Sequence, residues 1–210
     1  MAGLTSLASL VLITTLNLGN NKVVTNLSSL TVSEIQGMGY TALVEERYED
    51  ASKFYAAASL KSTLAFSDPL DAQILEENFG VSNLYAVGLK RISDIVRRLK
   101  PGGLELRTET LLVRAQRSKS EGKNILAKDL YELAGWAFYF YNGNTTMGGG
   151  TENTELPKAI IPSPNDVLYE WATRPGNFIG KAMNLENDPQ EKEKLKLLQR
   201  MLNVLRIFLV

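Results

Sequence analysis

The chain has 210 residues, of which 44% are hydrophobic and 22% are charged. This composition predicts a folded chain with a sizeable core and excludes disorder of the chain as a whole. Basic and acidic residues both number 23, so the net charge of zero indicates no partner by itself. Because the chain contains no histidine and no cysteine, imidazole catalysis, thiolate catalysis and the zinc sites built on them are excluded. We therefore predict a protein that is not an enzyme, with no catalytic residues, metal or cofactor.

Residues 4–18 form the most apolar stretch near the N-terminus. No lysine or arginine precedes this stretch, threonine and serine interrupt it, and it is shorter than a helix that crosses a bilayer. We therefore expect neither a signal peptide nor contact with a membrane, and we predict a cytoplasmic or virion location.

Signals for helices begin at residue 31. Thr31 and Glu34 have the spacing of a capping box, which predicts a short helical turn ahead of Gly37 and Gly39. A long helix is then predicted over residues 41–66, because apolar residues recur there at intervals of three and four. The Asp-Pro pair that follows is expected to end this helix and to start the next element.

The middle of the chain contains three further predicted helices. An amphipathic helix is expected over residues 82–99, and the sequence Lys-Pro-Gly-Gly that follows is a strong stop signal. Helices over residues 108–118 and 125–141 flank a polar turn, and we predict that they form a helical hairpin.

The last third of the chain is predicted to combine a long loop with two helices. Residues 142–162 lack periodicity and contain three consecutive glycines, which is typical of a loop. A short helix is expected over residues 163–173, with a break at 174–176. A final helix is expected to begin near Asp188. Its apolar stripe consists of Leu195, Leu198, Leu202, Leu205 and Leu209.

The predicted fold class is all-α: a multi-helix domain with a long glycine-rich loop. Alternation of apolar and polar residues around 7–24 and 158–162 allows a minor β-hairpin in addition. The predicted organisation is a main helical domain over residues 1–141, a flexible loop over 142–162 and a C-terminal helical segment over 163–210.

Basic charge is concentrated in the middle of the chain. Residues 90–128 carry a net charge of +7, whereas residues 1–89 carry −5 and residues 129–210 carry −2. A positive stripe across consecutive helices is the footprint expected of a protein that binds phosphate backbones. The predicted nucleic-acid-binding residues are Arg91, Arg97, Arg98, Arg114, Arg117, Lys119, Lys123 and Tyr141. The alternative is a solvated face that is neutralised by the acidic flanks of the same chain.

An aromatic run, WAFYFY, follows the basic segment at residues 136–141. Aromatic rings beside basic groups can stack on unpaired bases, although on a helix Trp136, Tyr139 and Phe140 more simply form a core face. Tyr141, at the predicted helix end, is the best placed of them for an exposed role.

The segment AGWAFYFYNG at residues 134–143 resembles a segment in the coat proteins of flexuous filamentous plant viruses that ends in an Ala-Phe-Asp-Phe pattern. The resemblance covers less than a tenth of the chain. Tyr139 occupies the position of the acidic residue of that family, so no functional residue is carried over.

Both ends of the chain are apolar, at residues 4–18 and 197–210. Apolar termini need a surface on which to dock, either on their own core or on a neighbouring subunit. Docking on a neighbour produces repeated head-to-tail contacts and therefore rings or open helices. The second arrangement predicts a homo-oligomer.

These observations lead to three functional hypotheses. The first is a self-assembling structural protein, similar to a viral nucleocapsid or coat protein, that binds single-stranded RNA. The alternative is a helical scaffold or protein-interaction module whose basic segment binds an acidic partner. The third is an enzyme that works through carboxylates or lysine alone, with Glu45, Glu49 and Asp50 as the candidate carboxylates. An ordinary solvated acidic face explains that cluster more simply.

Overall fold

The computed structural model of the chain describes residues 13–18, 21–62, 69–99, 106–142 and 175–204. These residues are mostly helical, which confirms the helix-rich fold class. The elements are β1 (Ile13–Leu18), β2 (Asn21–Asn26), α1 (Val32–Val44), α2 (Tyr48–Ser62), α3 (Pro69–Phe79), α4 (Leu84–Arg98), α5 (Thr108–Ser120), α6 (Asn124–Ala137), a π-helical turn (Phe138–Asn142), α7 (Pro175–Met183) and α8 (Pro189–Val204). No helix in the described ranges is long and apolar enough to cross a bilayer.

The chain divides into two compact units, residues 1–101 and residues 102–210. In the first unit β1 pairs antiparallel with β2, and α2 packs against both α1 and α4. In the second unit α6 packs against α5 and α7, and α7 packs against α8. The predicted hairpin of α5 and α6 is therefore confirmed. The predicted glycine-rich loop and the predicted helix over 163–173 lie outside the described residues, apart from Asn142.

The predicted capping box is present at the start of α1. The Thr31 hydroxyl accepts a hydrogen bond from the Glu34 amide at 3.2 Å, and the Glu34 carboxylate accepts one from the Thr31 amide at 2.6 Å. The prediction that a short turn ends before the glycines is wrong, because α1 continues through Gly37 and Gly39. The ring of Tyr55, which is fully buried, lies against Gly39: a Cβ there would be 3.1 Å from the ring, closer than ordinary contact.

The predicted long helix over residues 41–66 is interrupted: residues 41–44 end α1, α2 begins at Tyr48, and residues 63–66 lie outside the described residues. The break lies at Glu46, whose φ of 60° is in the left-handed region that a helix interior does not adopt. Arg47 fixes the turn, since its guanidinium donates to the Glu45 carboxylate at 2.6 Å and to the Asp50 carboxylate at 2.9 Å. The left-handed conformation of Glu46 costs about 1 kcal/mol. The two ion pairs of Arg47 stabilise the turn that contains Glu46.

Helices α2 and α4 are joined by small hydroxyl side chains, which we call the serine seam (Ser52, Ser59 and Ser93). Ser52 Oγ donates to the Ser93 carbonyl at 3.0 Å, and Ser93 Oγ donates to the Ser52 carbonyl at 2.8 Å. Ser59 Oγ donates to the Ala86 carbonyl at 2.7 Å. Because each buried hydroxyl has a backbone acceptor, the seam brings the two helices together without leaving a polar group unsatisfied.

The second unit has its core around α6. The largest fully buried side chains there include Trp136, Leu111 and Phe178. The predicted stripe of the last helix is confirmed at its three described leucines, Leu195, Leu198 and Leu202, which are all buried, while Leu205 and Leu209 lie outside the described residues.

The sequence analysis did not predict α7, which begins at Pro175. Residues 163–174, where a short helix and its end were predicted, lie outside the described residues. Proline is tolerated as the first residue of α7, since the first turn of a helix leaves its N–H groups without intrahelical partners. The next residue permits close packing on α8: a Cβ at Gly176 would lie 2.8 Å from the Gln199 carbonyl oxygen. The prediction of one α-helix to residue 141 also needs correction, because α6 ends at Ala137 and continues as the π-helical turn.

The two glycines of α1 form a matched test of this packing. We expect Gly39→Leu to destabilise the first unit by about 1–3 kcal/mol, because the side chain would displace the buried Tyr55 ring. Gly37→Leu should be neutral or slightly stabilising, since no atom lies within 4 Å of a Cβ there. Urea unfolding followed by circular dichroism measures both variants. Equal urea midpoints for Gly39→Leu and Gly37→Leu would contradict the close contact between Gly39 and the Tyr55 ring.

A partly buried ion pair predicts how the stability of the second unit depends on pH. Burial opposes the charge of Glu186, but hydrogen bonds from Lys128 Nζ at 2.6 Å and from the amides of Asn187 and Asp188 lower the pKa of its carboxyl. Since the folded pKa is below the unfolded value, this stabilisation is complete above the unfolded pKa and is lost as the pH falls through the folded pKa.

We expect Glu186→Gln to unfold about 1 kcal/mol more easily than the parent protein at pH 7, with the difference shrinking below the unfolded pKa. Tryptophan fluorescence in urea at pH 7 and pH 3.5 measures this change. The control is Glu193→Gln, because Glu193 is an exposed carboxylate paired with Lys196 at 3.1 Å. If the free energy of unfolding of Glu186→Gln differed from that of the parent by the same amount at both pH values, the lowered pKa of Glu186 would be refuted.

Candidate nucleic-acid interface

Helix α4 presents basic residues on one side, and we call them the α4 basic face (Lys90, Arg91, Arg97 and Arg98). A helix advances about 100° per residue, so these four positions span an arc of about 120°. Asp94 lies inside the same arc, and the local net charge is therefore +3. The opposite side of α4 is buried and consists of Leu89, Ile92, Ile95 and Val96. Burial of one side thus fixes which side of the helix carries the cations.

The contacts of Lys90 and Arg97 leave part of their hydrogen-bonding capacity accessible. Arg97 donates to Asp94 at 3.2 Å, but the Arg97 side chain is 71% exposed, and exposed pairs of this kind contribute about 0–1 kcal/mol. Lys90 Nζ donates to the carbonyl of Phe79 at 2.6 Å. Since an ammonium has three N–H donors, that bond holds Lys90 in place and leaves donors for a ligand.

The position of Lys90 depends on the end of α3. Gly80 has a φ of 70°, a left-handed conformation that glycine adopts without strain, and its amide donates to the Glu76 carbonyl at 2.9 Å. The chain turns away there, and the Phe79 carbonyl accepts from Lys90. A basic side chain at the C-terminus of a helix also complements the partial negative charge of that terminus.

An open groove of about 450 Å³, which we call the α2–α4 groove, lies beside the α4 basic face. Lys90 and Arg97 belong to both, and Lys53 of α2 adds a third cation. Glu49 and Asp94 are the acidic residues of its lining, so the groove is positive by one charge. Its aliphatic lining comes from Ala56, Leu60 and Val81.

In the second unit the predicted stripe does not form one surface. Arg114 and Arg117 lie on one side of α5, and Lys119 lies on the other, with the buried Ala115 and Ser118 between them. The structure therefore brings Arg91, Arg97 and Arg98 together on α4 but separates the cations of α5.

Two of the predicted cations in this unit share one carboxylate. Arg117 Nε donates to Glu121 at 2.9 Å, and Lys123 Nζ donates to the same carboxylate at 2.8 Å. The hydrogen bonds from Lys123 and Arg117 lower the pKa of the Glu121 carboxyl. Glu121 belongs to the basic segment itself, so these pairs are not the neutralisation by acidic flanks that the alternative interpretation predicted, and the three groups together keep one positive charge.

Lys119 has a neighbour that the sequence analysis did not identify. Burial and the positive charge of Lys119 both lower the pKa of Lys181, which lies on α7. The Lys181 ammonium is 5.6 Å from the centre of the Tyr131 ring, a distance at which a cation–π interaction forms. No signal in the sequence connects these residues, because only the packing of α6 against α5 and α7 brings them near each other.

The aromatic run forms a cluster of packed rings. Trp136 is fully buried, stacks on Phe140 at 6.2 Å between ring centres and meets Tyr139 edge-on at 5.9 Å. The interpretation as a core face is therefore correct for Trp136 and Phe140. Tyr141 lies in the π-helical turn, and its side chain is outside the described part of the structure.

The acidic cluster of the first unit is occupied by ion pairs. Arg47 bridges Glu45 and Asp50, and Lys53 pairs with Glu49 at 2.9 Å. Across the described ranges, no group of three or more potential ligands is arranged to hold a metal ion.

Comparison of the chain with known proteins finds no matching family model, no matching curated protein and no matching solved structure. Function is therefore inferred from the residues of the chain itself.

The pair formed by Lys119 and Lys181 predicts a measurable coupling. We expect Lys119→Gln to raise the pKa of Lys181 towards the ordinary value, because a repelling charge is removed while burial remains. NMR titration of the lysine side chains measures this pKa. Lys123→Gln is the control, since Lys123 pairs with Glu121. An unchanged pKa in Lys119→Gln would show that burial alone causes the shift.

Proposed function

We propose that this chain is a self-assembling structural protein of the nucleocapsid or coat type, and that its α4 basic face binds the phosphate backbone of single-stranded RNA. The observation that carries the proposal is the concentration of four cations and one carboxylate within an arc of about 120° on one helix. A backbone that follows α4 runs along this arc.

The chemistry of the face suits phosphate. Arginine offers a planar fork of N–H donors that matches two phosphate oxygens, and phosphate contacts release condensed counterions. The only carboxylate within the arc, Asp94, is 40% exposed in its pair with Arg97 and is displaced at little cost. The expected binding is tolerant of sequence and sensitive to salt.

Self-assembly is supported by apolar side chains at the surface of the second unit. Val113 on α5 is 66% exposed, and Ile125 at the start of α6 is 78% exposed. Contacts between copies would cover such side chains. Of the apolar ends at residues 4–18 and 197–210, residues 4–12 and 205–210 lie outside the described ranges, while Leu198 and Leu202 are buried.

The test compares two double variants that change the net charge equally. We expect Arg97→Gln with Arg98→Gln to weaken binding of single-stranded RNA about tenfold near 0.1 M salt. The slope of log affinity against log salt should flatten by about 1.4, since each lost contact on a single strand removes about 0.7. Gel shifts at graded salt measure both quantities, and circular dichroism verifies the fold.

The matched control is Lys192→Gln with Lys194→Gln on α8, which removes two positive charges from the other unit. We expect this variant to retain most of the affinity and the full salt slope. Equal losses in the two double variants would indicate a response to net charge alone. The absence of RNA binding by the parent protein at low salt would refute the proposal.

A further inference from the structure

The α2–α4 groove and the α4 basic face share an edge. Lys90 and Arg97 are seven residues apart on α4, which places them two helical turns, or about 10 Å, apart along the side of the groove. A strand whose phosphates contact these two cations therefore passes the opening of the groove. Whatever side group that strand carries at this point is positioned to enter.

The lining of the groove is suited to a flat, weakly polar group. The hydroxyls of the serine seam, which contribute to the lining, already donate to backbone carbonyls inside the fold. Aliphatic surface is provided by Ala56 and by Leu60, whose side chain is 55% exposed. An exposed leucine beside cations gains free energy when an apolar face covers it.

The groove is large enough for one small organic group. Its volume of about 450 Å³ is in the range of sites for small organic molecules. A duplex keeps its bases stacked and paired, so it can offer only phosphates here, whereas a single strand can turn one base outward. The excess of positive charge selects an anionic ligand.

We propose that the α2–α4 groove binds one nucleotide of a single-stranded nucleic acid, with the base on Ala56 and Leu60 and the phosphates on its two sides at Lys90 and Arg97. This inference rests on the proposed function, and it adds a contact to the base that a phosphate-binding face alone does not make. The groove thus distinguishes single strands from duplexes.

The experiment separates base contacts from phosphate contacts. The probes are a fluorescent single-stranded RNA and a strand of equal length built from abasic ribose phosphates, which carry the same charge. We expect the full-length chain to bind the RNA about fivefold more tightly than the abasic strand, the factor for about 40 Å² of covered apolar surface. The salt slopes of the two probes should be equal, because the phosphates are the same.

Two variants assign this preference to the groove. Ala56→Leu fills the groove and should abolish the preference for the base-bearing strand while leaving the affinity for the abasic strand unchanged. Leu60→Ala removes an exposed side chain at little cost to folding, and it should reduce the preference about threefold. The controls are Ala72→Leu on α3, outside the groove, and Val44→Ala, a truncation at a position that is 53% exposed.

The outcomes distinguish the two proposals. Equal affinity of the parent protein for both strands, or a preference that persists in Ala56→Leu and Leu60→Ala, overturns the nucleotide site and leaves the phosphate-binding function intact. Binding of neither strand overturns both. A poly-glutamate peptide that competes for the groove and loses its affinity in Ala56→Leu would identify an acidic peptide as the ligand and would also overturn the nucleotide site.

Discussion

The serine seam between α2 and α4 is the interaction on which the candidate interface depends. Each of its hydroxyls donates to a carbonyl oxygen of the facing helix. Ser52 and Ser93 donate to each other's carbonyl oxygens, although 41 positions of sequence separate them. Small side chains allow the two helices to approach closely, and satisfied hydroxyls remove the penalty of burying them. Because the serine seam holds one side of α4 against α2, the α4 basic face lies at the surface.

The basic residues of the two units have different surroundings. In the first unit, the cations of α4 outnumber the carboxylates within their arc. In the second unit, Arg117 and Lys123 share Glu121, while Lys119 lies near another lysine, Lys181. A basic segment in a sequence is therefore not one surface, because helix phase and nearby carboxylates decide which of its charges act together.

Features determined by local sequence could be predicted. The capping box of Thr31 and Glu34 and the apolar stripe of the last helix follow from spacing alone, and both are present. The break at Glu46 was missed because its left-handed conformation depends on the contacts of Arg47. The groove was missed for a related reason: its lining joins residues of α2 and α4, and no periodicity in one segment reports on the packing of another.

The division between the units at residues 101 and 102 falls inside the basic segment of residues 90–128. Each unit therefore carries its own cations, and the covalent chain links them. Under the proposed function, the α4 basic face therefore acts within the first unit alone and needs no particular placement of the second. A strand held there would be at a high effective concentration for any weaker contact that the second unit makes, because one covalent chain carries both.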